Sequence, residues 1–271
     1  MKKRLIFTLL LAAFIVACFA QKPYKVMFYN LENFFDTIND PEVLDDEFTP
    51  EGPKQWNSAK YNRKLGNIER VLFDLAAADK VYPAVIGVSE VENRSVLEDI
   101  VAAPKLAPAD YRIVHYDSPE ARGVDVAFLA DSVLKADPAT RIVAMGDFND
   151  DPTDPSMAEG LGARTRMKEL EPGDFYNPFG DMLRAGIGTL AYGDAWNLFD
   201  NIVVSGNMVS GDDGMQLRKA PGSKYYGNIF RRHYMVQREG QYKGYPLRTY
   251  VGNNFQGGYS DHFPVYIYFA K

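Results

Sequence analysis

Carboxylates, side-chain amides and one imidazole stand beside turn-forming residues at five places along the chain, and their types define the chemistry open to them. In the middle, Gly146-Asp147-Phe148-Asn149-Asp150-Asp151-Pro152 alternates oxygen-bearing side chains. As a calcium loop it fails. The sixth position, which needs glycine for a sharp turn, is Pro152, and the twelfth, which needs a bidentate glutamate, is Ala158. Taken alone it reads equally as a plain turn, since Gly, Asn, Asp and Pro all favour one. Near the end, Ser260-Asp261-His262 sets a carboxylate next to an imidazole; neighbours in an extended segment point to opposite faces, so the two need not touch. Asp200 lies in Leu198-Phe199-Asp200-Asn201-Ile202-Val203-Val204, Glu90 follows a short apolar run, and Asn30 follows Tyr24-Lys25-Val26-Met27-Phe28-Tyr29. Singly, each has an ordinary structural explanation. Jointly they offer several side-chain oxygens, of the kind a hard cation takes, and one imidazole. Cys18 is the only cysteine, so the body that follows it has no disulfide and no thiol nucleophile.

These residues need elements to carry them. Residues 24–29 are rich in aromatic and β-branched types and read as a strand ending at Asn30. An acidic, proline-punctuated stretch from Asp36 to Pro53 reads as a surface loop. Tyr61, Leu65, Ile68, Leu72 and Leu75 then recur at three- and four-residue spacing, which predicts an amphipathic helix capped by Asn57 or Ser58. Pro83 to Val88 reads as a short buried run leading to Glu90. Further strands are expected at 124–129, 141–145, 202–204 and 265–269, with a short helix at 132–135 ended by Pro138. Alternating strands and helices argue for α/β layers. Asn30, Glu90, Asp147 and Asn149 each fall just past the C-terminal end of an expected strand, where functional loops gather in such sheets. Asp200 and Asp261 come just before later strands, and reach the same rim if those strands run the other way.

In this order, the early Asn, the Glu after an apolar run, the Gly-Asp-Phe-Asn, the Asp before Ile-Val-Val and the terminal Ser-Asp-His resemble the endonuclease/exonuclease/phosphatase superfamily. The motifs extend from Asn30 to Pro264. The resemblance implies a deoxyribonuclease I-like fold, a two-sheet α/β sandwich flanked by helices. It also implies metal-dependent hydrolysis of a phosphodiester with Mg²⁺ or Mn²⁺. By the same resemblance Glu90, Asn30 and Asp261 match the metal-binding positions, with Glu32 outside them. Asp147 matches the residue that orients or deprotonates water, Asn149 the amide that holds phosphate, and Asp200 the second-half aspartate. His262 matches the imidazole that stabilises charge on phosphorus.

One segment departs from the pattern. Relatives follow the strand matching 124–129 with a strand pair, a His-Trp-Pro-Ser-like motif and a long helix; here Asp131 to Pro138 follows almost at once. The three histidines, His115, His233 and His262, lie in no such motif. The resemblance therefore implies that a phosphate-contacting group is missing, which leaves a catalytically degenerate binding protein as one alternative. A phosphatase or lipid phosphodiesterase on the same fold is another.

Lys2, Lys3 and Arg4 followed by the apolar run 5–20 form the layout of an export signal, too short for a spanning helix. The expected organisation is thus a signal at 1–20 and one domain at 21–271. Two cleavage readings stand: after Ala20, giving a secreted or periplasmic protein, or before Cys18 in Ile15-Val16-Ala17-Cys18, giving a lipid anchor on that cysteine. Removing the signal takes the net charge from −6 to −9, so the body attracts no polyanion in general. The exception is residues 214–259. There Arg218, Lys219, Lys224, Arg231, Arg232, Arg238, Lys243 and Arg248 alternate with tyrosines and face only Glu239. Such a stretch suits nucleic acid, and equally a solvated loop with its own aromatic cluster.

Overall fold

The computed structural model describes residues 23–40, 45–115, 139–210 and 214–271. The expected signal at 1–20 with Cys18, the strand at 124–129 and the helix at 132–135 lie outside them. Among the described residues no helix is long and apolar enough to cross a membrane.

Strand β1 (Tyr24–Phe34) is the spine of the first sheet. Its side chains alternate as a strand requires. Val26 and Phe28 enter the core between the two sheets, while Met27, Tyr29 and Leu31 face the helices. Helix α1 (Ser58–Ala77) starts at Asn57, whose side chain accepts from the N–H groups of Ala59 and Lys60; such a cap is worth about 1 kcal/mol. Ile68, Val71, Leu72 and Leu75 of α1 are buried against β1, each contributing roughly 1.5–3 kcal/mol. Strand β2 (Val85–Val91) runs parallel to β1, and helix α2 (Arg94–Ala102), capped by Asn93, packs beside α1. The run expected to be buried is only half-buried. β2 is the last strand of its sheet among the described residues, and Val85 is 48% exposed.

The second sheet is built from β3 (Val143–Asp147), β4 (Ala163–Arg164), β5 (Phe175–Tyr176) and, after helix α3 (Gly180–Arg184) and the hairpin β6 (Leu190–Tyr192) and β7 (Ala195–Asn197), β8 (Asp200–Ser205). Its order is β3-β8-β5-β4, with β3 and β8 antiparallel. Its outer face, Ala144, Phe175 and Val203, is covered by Met157 from a π-turn at Ser156–Gly160. The first sheet is completed from the end of the chain. β9 (Gln216–Arg218) and β10 (Asn228–Ile229) pair with β13 (Val265–Ala270), which runs antiparallel beside β1; a small hairpin of β11 (Tyr250–Val251) and β12 (Asn254–Phe255) intervenes.

Ile202 and Val204 of β8 meet Val26, Phe28, Val265 and Ile267 in one apolar layer. The result is a two-sheet α/β sandwich with α1 and α2 flanking the first sheet.

Candidate active site

Asn30 has the parity of Val26 and Phe28, so its side chain emerges between the sheets where their apolar layer ends. It is buried, and its Nδ2 donates to Glu90 Oε1 at 2.9 Å and to Asp147 Oδ2 at 3.0 Å. Its Oδ1 accepts the Glu32 N–H at 2.8 Å, and its carbonyl accepts Ser260 Oγ at 2.8 Å. Beyond Asn30 the strand does not stop as expected but continues to Phe34 through a shift of register. Glu32 and Asn33 take left-handed backbone there (φ 52° and 51°), and Glu90 does the same (φ 55°). Such residues are uncommon and concentrate at functional sites. Here the kink brings the Asn33 N–H to Glu90 Oε2 at 2.9 Å.

Asp147, the last residue of β3, lies opposite Asp200, the first of β8. The turn before β8 is fastened from both sides. Asp151 Oδ1 accepts the Leu198 N–H at 2.6 Å, and buried Asn201 donates to the carbonyls of Leu198 and Phe199 at 2.9 and 3.1 Å. Asp147 Oδ1 accepts the Asn149 N–H at 3.0 Å, and the Asn149 side chain is exposed at the rim.

His262 closes the site. Its Nδ1 is 2.7 Å from Asp200 Oδ2, and both groups are buried. Its Nε2 lies 3.8 Å from Asp147 Oδ2 and 4.0 Å from Asp261 Oδ1. Burial pulls the imidazole pKa down, but Asp200 above all, then Asp261 and Asp147, outweigh it and lift it to about 10. Burial, and then the Asp200 charge, raises Asp147 above the usual carboxylate range. Asp261 is held by Arg248, whose Nε also lies 3.7 Å from Glu32 Oε1.

The seven expected residues therefore come together in one cluster. Asn30, Glu90 and Asp147 form one hydrogen-bonded set, and Asp200 and His262 a second. Asp261 stands with Arg248, and Asn149 touches the others through its backbone. The adjacent Asp261 and His262 are not each other's partners: the imidazole turns to Asp200. Sequence reasoning gave no role to Ser260, Asp151 and Asn201, which hold the loops, and passed over Lys64. The signal for Lys64 was present, since it sits three residues after Tyr61 and four before Ile68, on the apolar stripe of α1.

The donor set suits a hard divalent cation. Glu32, Glu90, Asp147, Asp200 and Asp261 outnumber the cations Lys64, Arg248 and His262 around them, and a bound cation would relieve the repulsion among these carboxylates. Ligand atoms of Asp147, Asp200 and His262 also lie within 4.8 Å of one another. Of the two sets, that of Glu90 and Asp147 fits better, because the His262 Nδ1 is engaged by Asp200 and a hard cation takes oxygen ligands. Among the described residues the buried Asp200 Oδ1 has no hydrogen-bond partner, which makes the imidazolium its main compensation.

Neither curated proteins nor solved structures give a match to this chain. The family model described as Endonuclease/Exonuclease/phosphatase family matches residues 25–130 and 128–271, nearly all of the chain beyond its first residues. With the sandwich, and with acidic and imidazole groups gathered at one rim, that match establishes that the chain belongs to the endonuclease/exonuclease/phosphatase family of phosphoester hydrolases.

Proposed function

We propose that the protein hydrolyses phosphodiester bonds, in nucleic acid, with Mg²⁺ or Mn²⁺. The observation that carries this reading is the pairing of two unlike halves around Asp147. On one side Asn30 ties it to Glu90; on the other His262, charged by Asp200, presents Nε2 3.8 Å away. Glu90 and Asp147 would hold the cation, with Asp261 across the cleft. When bound, the ion lets an anionic phosphate approach these carboxylates and stabilises charge that develops on phosphorus. Asp147, beside the cation, orients the attacking water and takes up its proton. His262 donates a hydrogen bond to a phosphoryl oxygen, and Asp200 keeps the imidazole oriented and charged. The exposed Asn149 amide holds phosphate at the rim.

Nucleic acid is favoured over smaller esters by the stretch at 214–259, though not by all of it. Phe230, Tyr234 and Tyr250 are buried in the core. Arg231 lies over the rings of Trp196 and Phe263, next to His262, and Lys219 and Lys224 lie over Tyr226 and Tyr225. The segment that the resemblance implies is missing falls within 116–138, so a phosphate contact is absent from the proposed mechanism. Loss of one such donor typically costs about 10²–10³-fold in rate.

The test is turnover of DNA, RNA, bis-nitrophenyl phosphate and phospholipid by purified protein, with Mg²⁺ and with chelator. Weak, Mg²⁺-dependent cleavage of nucleic acid, abolished by Asp147→Ala and by Glu90→Ala, is expected. Cleavage of phospholipid alone would replace the substrate class, and equal rates for both variants and the parent would end the enzymatic reading.

A further inference from the structure

Lys64 is buried on the apolar stripe of α1, where a leucine or methionine would pack without the cost of desolvating an ammonium. Burial pulls its pKa down to about 8, against the opposing pull of Glu32 and Asp261. The fold alone gives no reason for a charge at this position, so its contacts matter. The Nζ donates to the Glu32 carbonyl and, at 2.8 Å, to Thr249 Oγ1. The Glu32 carboxylate in turn accepts the Thr249 N–H at 2.6 Å. Thr249 is thus gripped through both backbone and side chain by residues of α1 and β1. One position earlier, Arg248 reaches past Glu32 to Asp261. Asn67, on the same face of α1, donates to the carbonyls of Gly257 and Gly258 at 3.0 and 2.6 Å. Helix α1 therefore pins both ends of the loop that delivers Ser260, Asp261 and His262.

We propose that Lys64 is a positioning residue: with Glu32 it fixes Thr249, and through Arg248 the Asp261 carboxylate, relative to Asn30 and Glu90. The inference rests on the phosphodiesterase reading for its kinetic consequence but not for its mechanical one. Lys64 touches none of the reacting groups. It removes freedom from the Arg248–Asp261 pair, and a displacement of about 1 Å at such a site can cost on the order of 10²-fold in rate.

Two measurements test it. Lys64→Met is compared with the parent, and again in an Asp261→Asn background, for kcat, KM and denaturation midpoint. We expect kcat to fall roughly 10- to 100-fold with KM changed less than about threefold. In the Asp261→Asn background the same substitution should change kcat by less than about threefold while lowering the midpoint as before. Equal kcat factors in both backgrounds would overturn the proposal, because Lys64 would then act only through general stability. Should Lys64→Met not fold, Thr249→Val removes the hydroxyl alone. Amide hydrogen exchange supplies the arm that needs no substrate. Either variant should speed exchange across 247–262 and leave 143–147 and 200–205 unchanged, and an unchanged rate at 247–262 would overturn the proposal. If the parent cleaves no phosphodiester yet this exchange pattern appears, the functional reading has failed and the brace has not.

Discussion

Asp200 and His262, 62 residues apart in sequence, are buried together with 2.7 Å between Oδ2 and Nδ1. The pair shields the imidazolium from the cost of burial, and its removal should be visible in titration. In metal-free protein the His262 ring is expected to stay protonated through neutral pH and to lose its proton near pH 10. Its folded pKa lies above the unfolded value of about 6.5, so its contribution to stability is complete below that value and is lost as pH rises through about 10. Imidazole proton shifts followed by NMR, and the denaturation of parent and His262→Gln across pH, measure both effects. Asp200→Asn should bring the titration sharply down; an unmoved midpoint would show that another group holds the charge.

Asn30 orients Glu90 and Asp147 without having to supply a ligand oxygen of its own, since its Nδ2 faces both carboxylates. Asn30→Ala should leave the fold intact and weaken Mg²⁺ or Mn²⁺ binding by about 10–100-fold, the usual effect of losing such an outer contact. Calorimetric titration with either ion reads this directly. Unchanged affinity would place the ion elsewhere, with Asp200 and His262 as the next residues to vary.

Far from the cleft, Lys25 is buried in β1 with its Nζ bonded to Asp79 at 2.8 Å and to the carbonyls of Leu75 and Val81 at 3.0 and 3.1 Å. Tyr268 also donates to Asp79. Asp79→Asn strands the ammonium and should cost about 3 kcal/mol, the low end for breaking a buried pair because Asp79 keeps some contact with water. Lys25→Met leaves no buried charge and should cost less. Urea denaturation of the two variants checks the order, and the reverse order would show packing to dominate.

Export is expected from residues 1–20. Cell fractionation should find the mature protein outside the cytoplasm, and an intact signal on a cytoplasmic product would contradict that. Release from the membrane by Cys18→Ser identifies the lipid-anchored form; indifference to the substitution identifies the secreted one.

Much of the cleft could be read from the sequence because it follows from local rules. Asp147 ends a strand that composition alone marks out, Asn30 and Glu90 lie within two more, and Asp200 opens another. What could not be read depends on contacts between distant segments. His262 lies beside Asp261 in the chain, yet its partner is set by how β8 and β13 come together. The continuation of β1 through Glu32 and Asn33 is irregular backbone held by Glu90 and Thr249, which no periodicity announces. The helix at 58–77 was expected from its apolar face, but that pattern passes over Lys64 because its partners lie at 32 and 249.

The pairing of β1 with β13, Tyr24 opposite Phe269 through Phe28 opposite Val265, has a consequence for the newly made chain. Among the described strands, the first in sequence has the last as its neighbour, and closing so long a loop is slow relative to forming helices and hairpins. Until β13 docks, His262 has no fixed place near Asp200, and the carboxylates at the opposite rim lack their imidazole. A chain in which this pairing has not yet formed thus lacks an assembled centre.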